Sequence, residues 1–371
     1  MSAAFEIQAI AVMVAAACSL PGVFLVEKKM SMTSDSITHT ILLGIVLGFF
    51  ITKDLSSPLL IIGAAAVGVA TVWMSETLNR TRLLSEDASV GVVFPLLFSI
   101  AIILISRGAG SVHLDTDSVL LGELAFAPFE RMVINGVDIG AKGMYMAAAL
   151  LIVNAAVVSV LFKELTLATF DPLLAATLGF KPVLLHYGIM TMASLTAVAA
   201  FEAVGSILVV AFMIGPPVTA GLLSSRQKGV MFISVAVAAL NGVLGYRAAT
   251  ALDASISGCM AVMTGITFLA AFIFAPQKGL FSSLRRRKKQ KKDFACNTLL
   301  LHIAGMEEEK GKESEESALE LGGRMGWKYP FICDIIARLQ KLGLVSVEGG
   351  GIKLTEKGRE ESHNAVERLY D

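Results

Sequence analysis

An aspartate and a histidine four residues apart, Asp35 and His39, open the stretch "SDSITHTILLGIVLGFF", shortly after Lys28 and Lys29. At i and i+4 they share one face of a helix. The sequence that follows is apolar enough to be a membrane span. A charged side chain at the centre of a spanning helix costs about 2.5–3.5 kcal/mol on insertion scales, so such residues tend to face a cavity and work there. A carboxylate oxygen with an imidazole nitrogen suits a borderline divalent ion, Mn²⁺, Fe²⁺ or Zn²⁺. Ser34, Thr38 and Thr40 add hydroxyls nearby. The competing reading makes Asp35 a helix cap and places His39 near the headgroups. The residues alone leave both open.

Glu202 stands between two apolar stretches in "AAFEAVGSILVVAFMIGPPVTAGLLSS", where it either caps a span or lines a route. Pro216 and Pro217, after Gly215, break or kink that span and free backbone groups that need a protein-lined setting. Glu202, Pro216 and Pro217 are translocation-path candidates, weighed against plain packing and a kink. His186, beside Tyr187, reads as an interfacial residue, and Met190, Met192 and Met213 as core filling. The chain has no G-x-x-x-x-G-K-[ST], H-E-x-x-H, G-x-S-x-G or paired-cysteine motif. No catalytic residue is expected, and an enzyme reading has little to stand on. Cys18, Cys259, Cys296 and Cys333 are scattered and read as small apolar residues.

The elements that must position these residues are spans. Of 371 residues, 55% are hydrophobic and 17% charged, against roughly 25% charged in a soluble domain. Apolar runs predict nine membrane helices at 8–26, 37–52, 58–76, 88–106, 144–163, 183–200, 203–222, 229–250 and 255–275. The first lacks an A-x-A cleavage site and is read as a span. Lys28 and Lys29, Arg80 and Arg82, Lys163 to Lys181, Arg226 with Lys228, and the run "RRRKKQKK" all fall on one side. The positive-inside rule then puts the N-terminus outside and the C-terminus in the cytoplasm. Segment 107–143, with His113, Asp115, Asp117, Glu123 and Asp138, faces outward and reads as a solvated loop. Segment 164–181 lies on the cytoplasmic side. Its Asp171-Pro172 is a helix start, "LLAATLG" a short helix and Gly179 a stop, which makes a docking element.

Composition changes after Pro276. The expected division is a membrane domain over 1–280, a basic juxtamembrane linker over 281–294, and a soluble domain over 295–371. The last reads as three helices, a β-hairpin in "VSVEGGGIKLTEKG" and a final helix. That is a small α+β winged-helix pattern. The fold class is therefore an all-α polytopic membrane protein with a winged-helix extension.

Five stretches, "MSMTSDSITHTILLGIVLGF", "SEDASVGVVFPLLFSIAIILIS", "KELTLATFDPLLAATLGF", "FEAVGSILVVAFMIGPPVTAGLL" and "LAAFIFAPQKG", resemble the permease subunits of bacterial ABC importers for manganese, zinc and iron(II), the ABC-3 family. They keep the family's order over about residues 8–280. The resemblance implies a multi-pass protein of the bacterial inner membrane that pairs with a second permease subunit. It also implies separate ABC ATPase subunits inside and an extracytoplasmic metal-binding protein outside. Asp35 and His39 match the family's D-x-x-x-H pair, associated with metal in the path. The segment Phe170, Asp171, Pro172, Leu173, Leu174, Ala175 to Gly179 matches its ATPase-coupling region. No cofactor is implied; the divalent metal is cargo. The tail resembles the DNA-binding domain of metal-dependent repressors, but 15 acidic against 10 basic residues over 293–371 oppose binding to phosphate, so nucleic acid is the weaker expectation for it.

Three functions compete. The leading one is a permease for Mn²⁺, Zn²⁺ or Fe²⁺ driven by a separate ATPase. The others are an importer permease for a metal chelate, and a membrane-tethered metal-responsive transcription regulator.

Overall fold

Apolar runs of this length can satisfy their backbone groups in lipid only by closing hydrogen bonds within each helix. Among the described residues nine helices are long and apolar enough to cross a membrane. They are α1 (Ala3–Glu27), α2 (Ser31–Thr52), α3 (Pro58–Arg80), α4 (Glu86–Gly108), α5 (Lys142–Val160), α8 (Pro182–Val204), α9 (Ser206–Leu223), α10 (Gln227–Leu252) and α11 (Ile256–Phe274). Two short helices, α6 (Phe162–Phe170) and α7 (Pro172–Thr177), lie between α5 and α8. The computed structural model describes residues 3–53, 57–108, 124–134, 137–310, 316–348 and 351–370. It divides into two units, the first ending at Gly279 and the second starting at Leu280.

In the first unit α1 is the central helix, packed by α5, α8, α9 and α10, and α2 is packed by α3, α4, α8 and α9. Two close approaches fix these pairs. A Cβ built on Gly44 of α2 would stand 2.3 Å from Gly63 O of α3, and one on Gly22 of α1 would stand 2.0 Å from Met213 O of α9. Only glycine lets the backbones meet so closely.

The second contact explains a difference from expectation. Pro216 and Pro217 do not break α9, which runs unbroken from Ser206 to Leu223 with both prolines buried. Pro217 has no N–H for the carbonyl four residues earlier, which is Met213 O. That is the oxygen against which Gly22 packs.

The segment expected to be a solvated loop carries a hairpin, β1 (Arg131–Ile134) and β2 (Val137–Ala141), paired antiparallel. His113, Asp115, Asp117 and Glu123 lie outside the described residues. Arg131 ties the hairpin down. Its guanidinium meets Asp138 at 2.8 Å and the buried Glu6 of α1 at 3.1 Å. The N-terminus of α1 and this segment therefore share one end of the helix bundle, as charge asymmetry implied.

The second unit comprises α12 (Leu280–Lys310), β3 (Glu316–Ser317), α13 (Ala318–Met325), α14 (Tyr329–Lys341), β4 (Val345–Glu348), β5 (Gly351–Leu354) and α15 (Glu356–Tyr370). Residues 281–294 form the first half of α12. The sheet order is β3-β5-β4, all antiparallel. Leu299, Ile303, Leu321, Ile332, Ile335, Leu339, Val345, Ile352 and Leu354 make one core. Ser317 and Glu320 form a capping box at the start of α13.

Candidate functional site

Helix α2 begins at Ser31, six residues before the span read from hydropathy, and its hydroxyls bond back to the preceding turn. Thr38 Oγ1 donates to Asp35 O at 2.7 Å, and Thr40 Oγ1 to Ser36 O at 2.9 Å. The N-cap is Met30, so Asp35 lies a full turn inside the helix. The helix-cap reading of Asp35 is therefore overturned. His39 Nε2 stands 3.5 Å from Asp35 Oδ1. The imidazole packs on Phe94 and Phe98 of α4, with ring centroids 5.3 and 6.0 Å away. His39 is 25% exposed and Asp35 42%, so the pair has an open side.

The hydroxyls expected to assist are committed elsewhere. Ser34 Oγ donates to Met213 Sδ at 2.8 Å, and Thr71 Oγ1 bonds Thr40 Oγ1 at 2.9 Å. Among the described residues no group of three His, Cys, Asp or Glu could hold a metal. A cation at Asp35 and His39 would thus complete its shell with water or with groups from another chain.

A second polar cluster lies beside the first turns of α2. A cavity of about 580 Å³ is lined by Glu27, Lys28, Thr33, Ser75, Glu76 and Arg80, by Glu86, His186 and Tyr187, and by Ala168, Thr169 and Pro172 near the α6–α7 junction. Glu76 of α3 contacts His186 Nε2 and accepts from Tyr187 Oη at 2.8 Å. Lys28 Nζ lies 3.3 Å from His186 Nδ1. Burial pushes the Lys28 ammonium below its ordinary value, and the Glu76 carboxylate opposes that shift. Lys28, Arg80 and the start of α8 were expected on the same side of the membrane, and they line this one cavity.

The short helix expected within 164–181 forms. Asp171 Oδ1 accepts from Leu174 N at 2.9 Å, Pro172 opens α7, and Gly179 closes it at φ +88°, a left-handed conformation that favours glycine. Phe170, Leu173 and Leu174 are exposed and Leu173 strongly so, at 80%. Ala175 is fully buried and faces the protein. Glu202 falls in the last turn of α8, and its side chain lies outside the described residues.

A model of the ABC 3 transport family matches residues 3–275, nearly three quarters of the chain and all nine long helices. The chain belongs to the ABC 3 transport family. Among its relatives in that family is the manganese transport system membrane protein MntD of Bacillus subtilis, 43% identical over 284 residues that cover 76% of this chain and 96% of MntD. The zinc transport system membrane protein TroD of Treponema pallidum is 36% identical over 353 residues, covering 95% of this chain and 96% of TroD. A match that long takes in most of the second unit. The solved PsaBC from Streptococcus pneumoniae in complex with Fab shares the fold, with a TM-score of 0.63 at 24% identity over 75% of this chain and 94% of that one. The family match makes this a multi-pass membrane protein.

Sequence reading of this ABC 3 chain missed the Glu76–His186–Lys28 cluster. His186 read as interfacial because its partners are 110 and 158 residues away in the chain. Glu76 stands near a span's end, where a carboxylate needs no explanation.

Proposed function

We propose that this chain is the transmembrane permease subunit of an ATP-driven importer for Mn²⁺ or Zn²⁺, with Asp35 and His39 as cargo ligands. The observation that carries this is the Asp35–His39 pair itself, 3.5 Å apart and a turn inside a spanning helix of an ABC 3 family chain. Hard carboxylate and borderline imidazole donors accept either ion. The family relatives named for manganese and zinc support the same choice. Iron(II) gains no support from them.

The partners follow from the reading. The exposed apolar face of Phe170, Leu173 and Leu174 is the dock for a separate ATPase subunit, with Asp171, Pro172 and Gly179 setting its shape and Ala175 anchoring it. ATP-driven closure of that partner moves α6 and α7, and alternating access follows by rigid-body steps. An extracytoplasmic metal-binding protein delivers the ion. A second permease subunit faces the open side of Asp35 and His39 and completes the shell. Pro216, Pro217 and Glu202 belong to the path's surroundings rather than to the ligand set. The second unit is a cytoplasmic winged-helix domain; its order of helix, strand, two helices and hairpin supports that reading, and its acidic balance favours a regulatory or subunit-contact role over DNA.

Metal uptake in vesicles holding the permease, its ATPase and its binding protein tests the proposal. Asp35→Asn and His39→Ala are expected to abolish uptake of Mn²⁺ or Zn²⁺ while leaving assembly intact. Unchanged uptake in both variants would sink the ligand assignment.

A further inference from the structure

The cavity beside α2 contains an imidazole whose surroundings have the form of a metal ligand's. Glu76 accepts at His186 Nε2, and Tyr187 Oη holds the other carboxylate oxygen at 2.8 Å. An ammonium group has only donors, so Lys28 at 3.3 Å makes His186 Nδ1 the acceptor and leaves the proton on Nε2. Carboxylate, then N–H, then an imidazole lone pair turned to a cation is the arrangement that orients metal-ligating histidines. Here the cation is Lys28.

One observation marks the cavity as a place for a ligand, and a second places it beside the helix that carries Asp35 and His39. Ser75 is only 6% exposed, it lines this cavity, and its Oγ has no hydrogen-bond partner among the described residues. Thr33 also lines the cavity and precedes Asp35 by two residues, about 3 Å of helix rise. The cavity therefore lies within one turn of helix rise of the proposed cargo pair, on another face of α2. Glu27 and Glu86 contribute further carboxylates to its wall, against Lys28, Lys29 and Arg80. Arg80 is 3.8 Å from Glu76 and is largely exposed.

We infer that His186, oriented by Glu76, is a second contact for the divalent cargo on its way out, and that Lys28 holds the cation position while cargo is absent. This rests on the transport reading above. A dication arriving from Asp35 and His39 displaces the ammonium at Nδ1, so no proton leaves the ring and the Glu76 contact is kept. Lys28 then competes with the ion, which keeps the site weak enough to release it.

Mn²⁺ alone is the probe, with the full-length chain in nanodiscs carrying Asp35→Asn and His39→Ala. Pulsed electron paramagnetic resonance reads nitrogen coupling to bound Mn²⁺, and a titration reads affinity. The expected result is weak binding with one nitrogen coupled, loss of that coupling in His186→Gln, and affinity raised about tenfold or more in Lys28→Gln. Absence of coupled nitrogen, coupling that survives His186→Gln, or an unchanged affinity in Lys28→Gln would overturn the inference. Lys28→Gln keeps the test decisive even where His186→Gln fails to fold, because a structural role for Lys28 gives no tighter binding. Failure of the transport reading shows separately, as absence of Mn²⁺ and Zn²⁺ uptake by the wild-type assembly, and failure of the ligand assignment as unchanged uptake in both Asp35→Asn and His39→Ala.

Discussion

Glu6 is almost fully buried, at 2% exposure, and meets Arg131 at 3.1 Å, while Arg131 also holds Asp138 at 2.8 Å. Removing one partner of a buried pair strands a charge, at a cost of about 3–5 kcal/mol. Arg131 is partly in solvent, so Arg131→Ala is expected to lower the unfolding midpoint in detergent, and adding Glu6→Gln to restore most of it. The hydrogen bond from Arg131 holds the Asp138 carboxyl below its ordinary value. A lowered native value stabilises the fold above the unfolded carboxylate range, and that contribution fades as pH falls through the native value. The stability gap between the wild type and Arg131→Ala should therefore be widest near neutral pH and narrow as pH falls through the native Asp138 value. Asp138 is visible in the sequence as a loop acid. Its role is not, because Glu6 stands 125 residues from the arginine that joins them.

At the scale of elements, the contact of α2 with α3 through Gly44 and Gly63 sets the helix that carries Asp35 and His39. Any side chain at Gly44 meets backbone, not a yielding side chain. Gly44→Val is expected to cost about 1–3 kcal/mol and to lower uptake with Asp35 and His39 untouched. A variant with normal stability and normal uptake would remove this contact from the account. The spans themselves were legible, since hydropathy over about 20 residues is set by the thickness of the bilayer. The short α7 was legible too, because Asp, Pro and Gly act locally on cap, φ and stop. What hydropathy misses is polar helix: the start of α2 is built of Ser, Thr and Asp, and only structure shows it wound below the apolar run. Helix-breaking at Pro216 and Pro217 was over-read for the converse reason. The carbonyl that Pro217 frees, Met213 O, packs against Gly22, nearly 200 residues earlier in the chain.

For the whole molecule, the division at Gly279 and Leu280 separates two cores of different kinds. The first is a bundle whose polar cavity is assembled from distant helices and was hidden from local reading, whereas Asp35 and His39 share one helix and were legible. The second packs Leu299, Ile303, Ile332, Ile335 and Leu339 against a three-stranded sheet, from sequence-local pieces whose helix pattern and hairpin glycines announce them. Separate cores predict separate cooperativity. Leu339 is fully buried in the second core, and Leu339→Ala is expected to cost about 2–5 kcal/mol there. In calorimetry of the full chain this lowers one transition by about 10 °C or more and leaves the other in place. A single transition that shifts as one would mean that the second unit depends on the bundle for its stability. Two transitions, with uptake retained when only the second is lowered, would mark the second unit as a regulator attached to a transporter that folds without it.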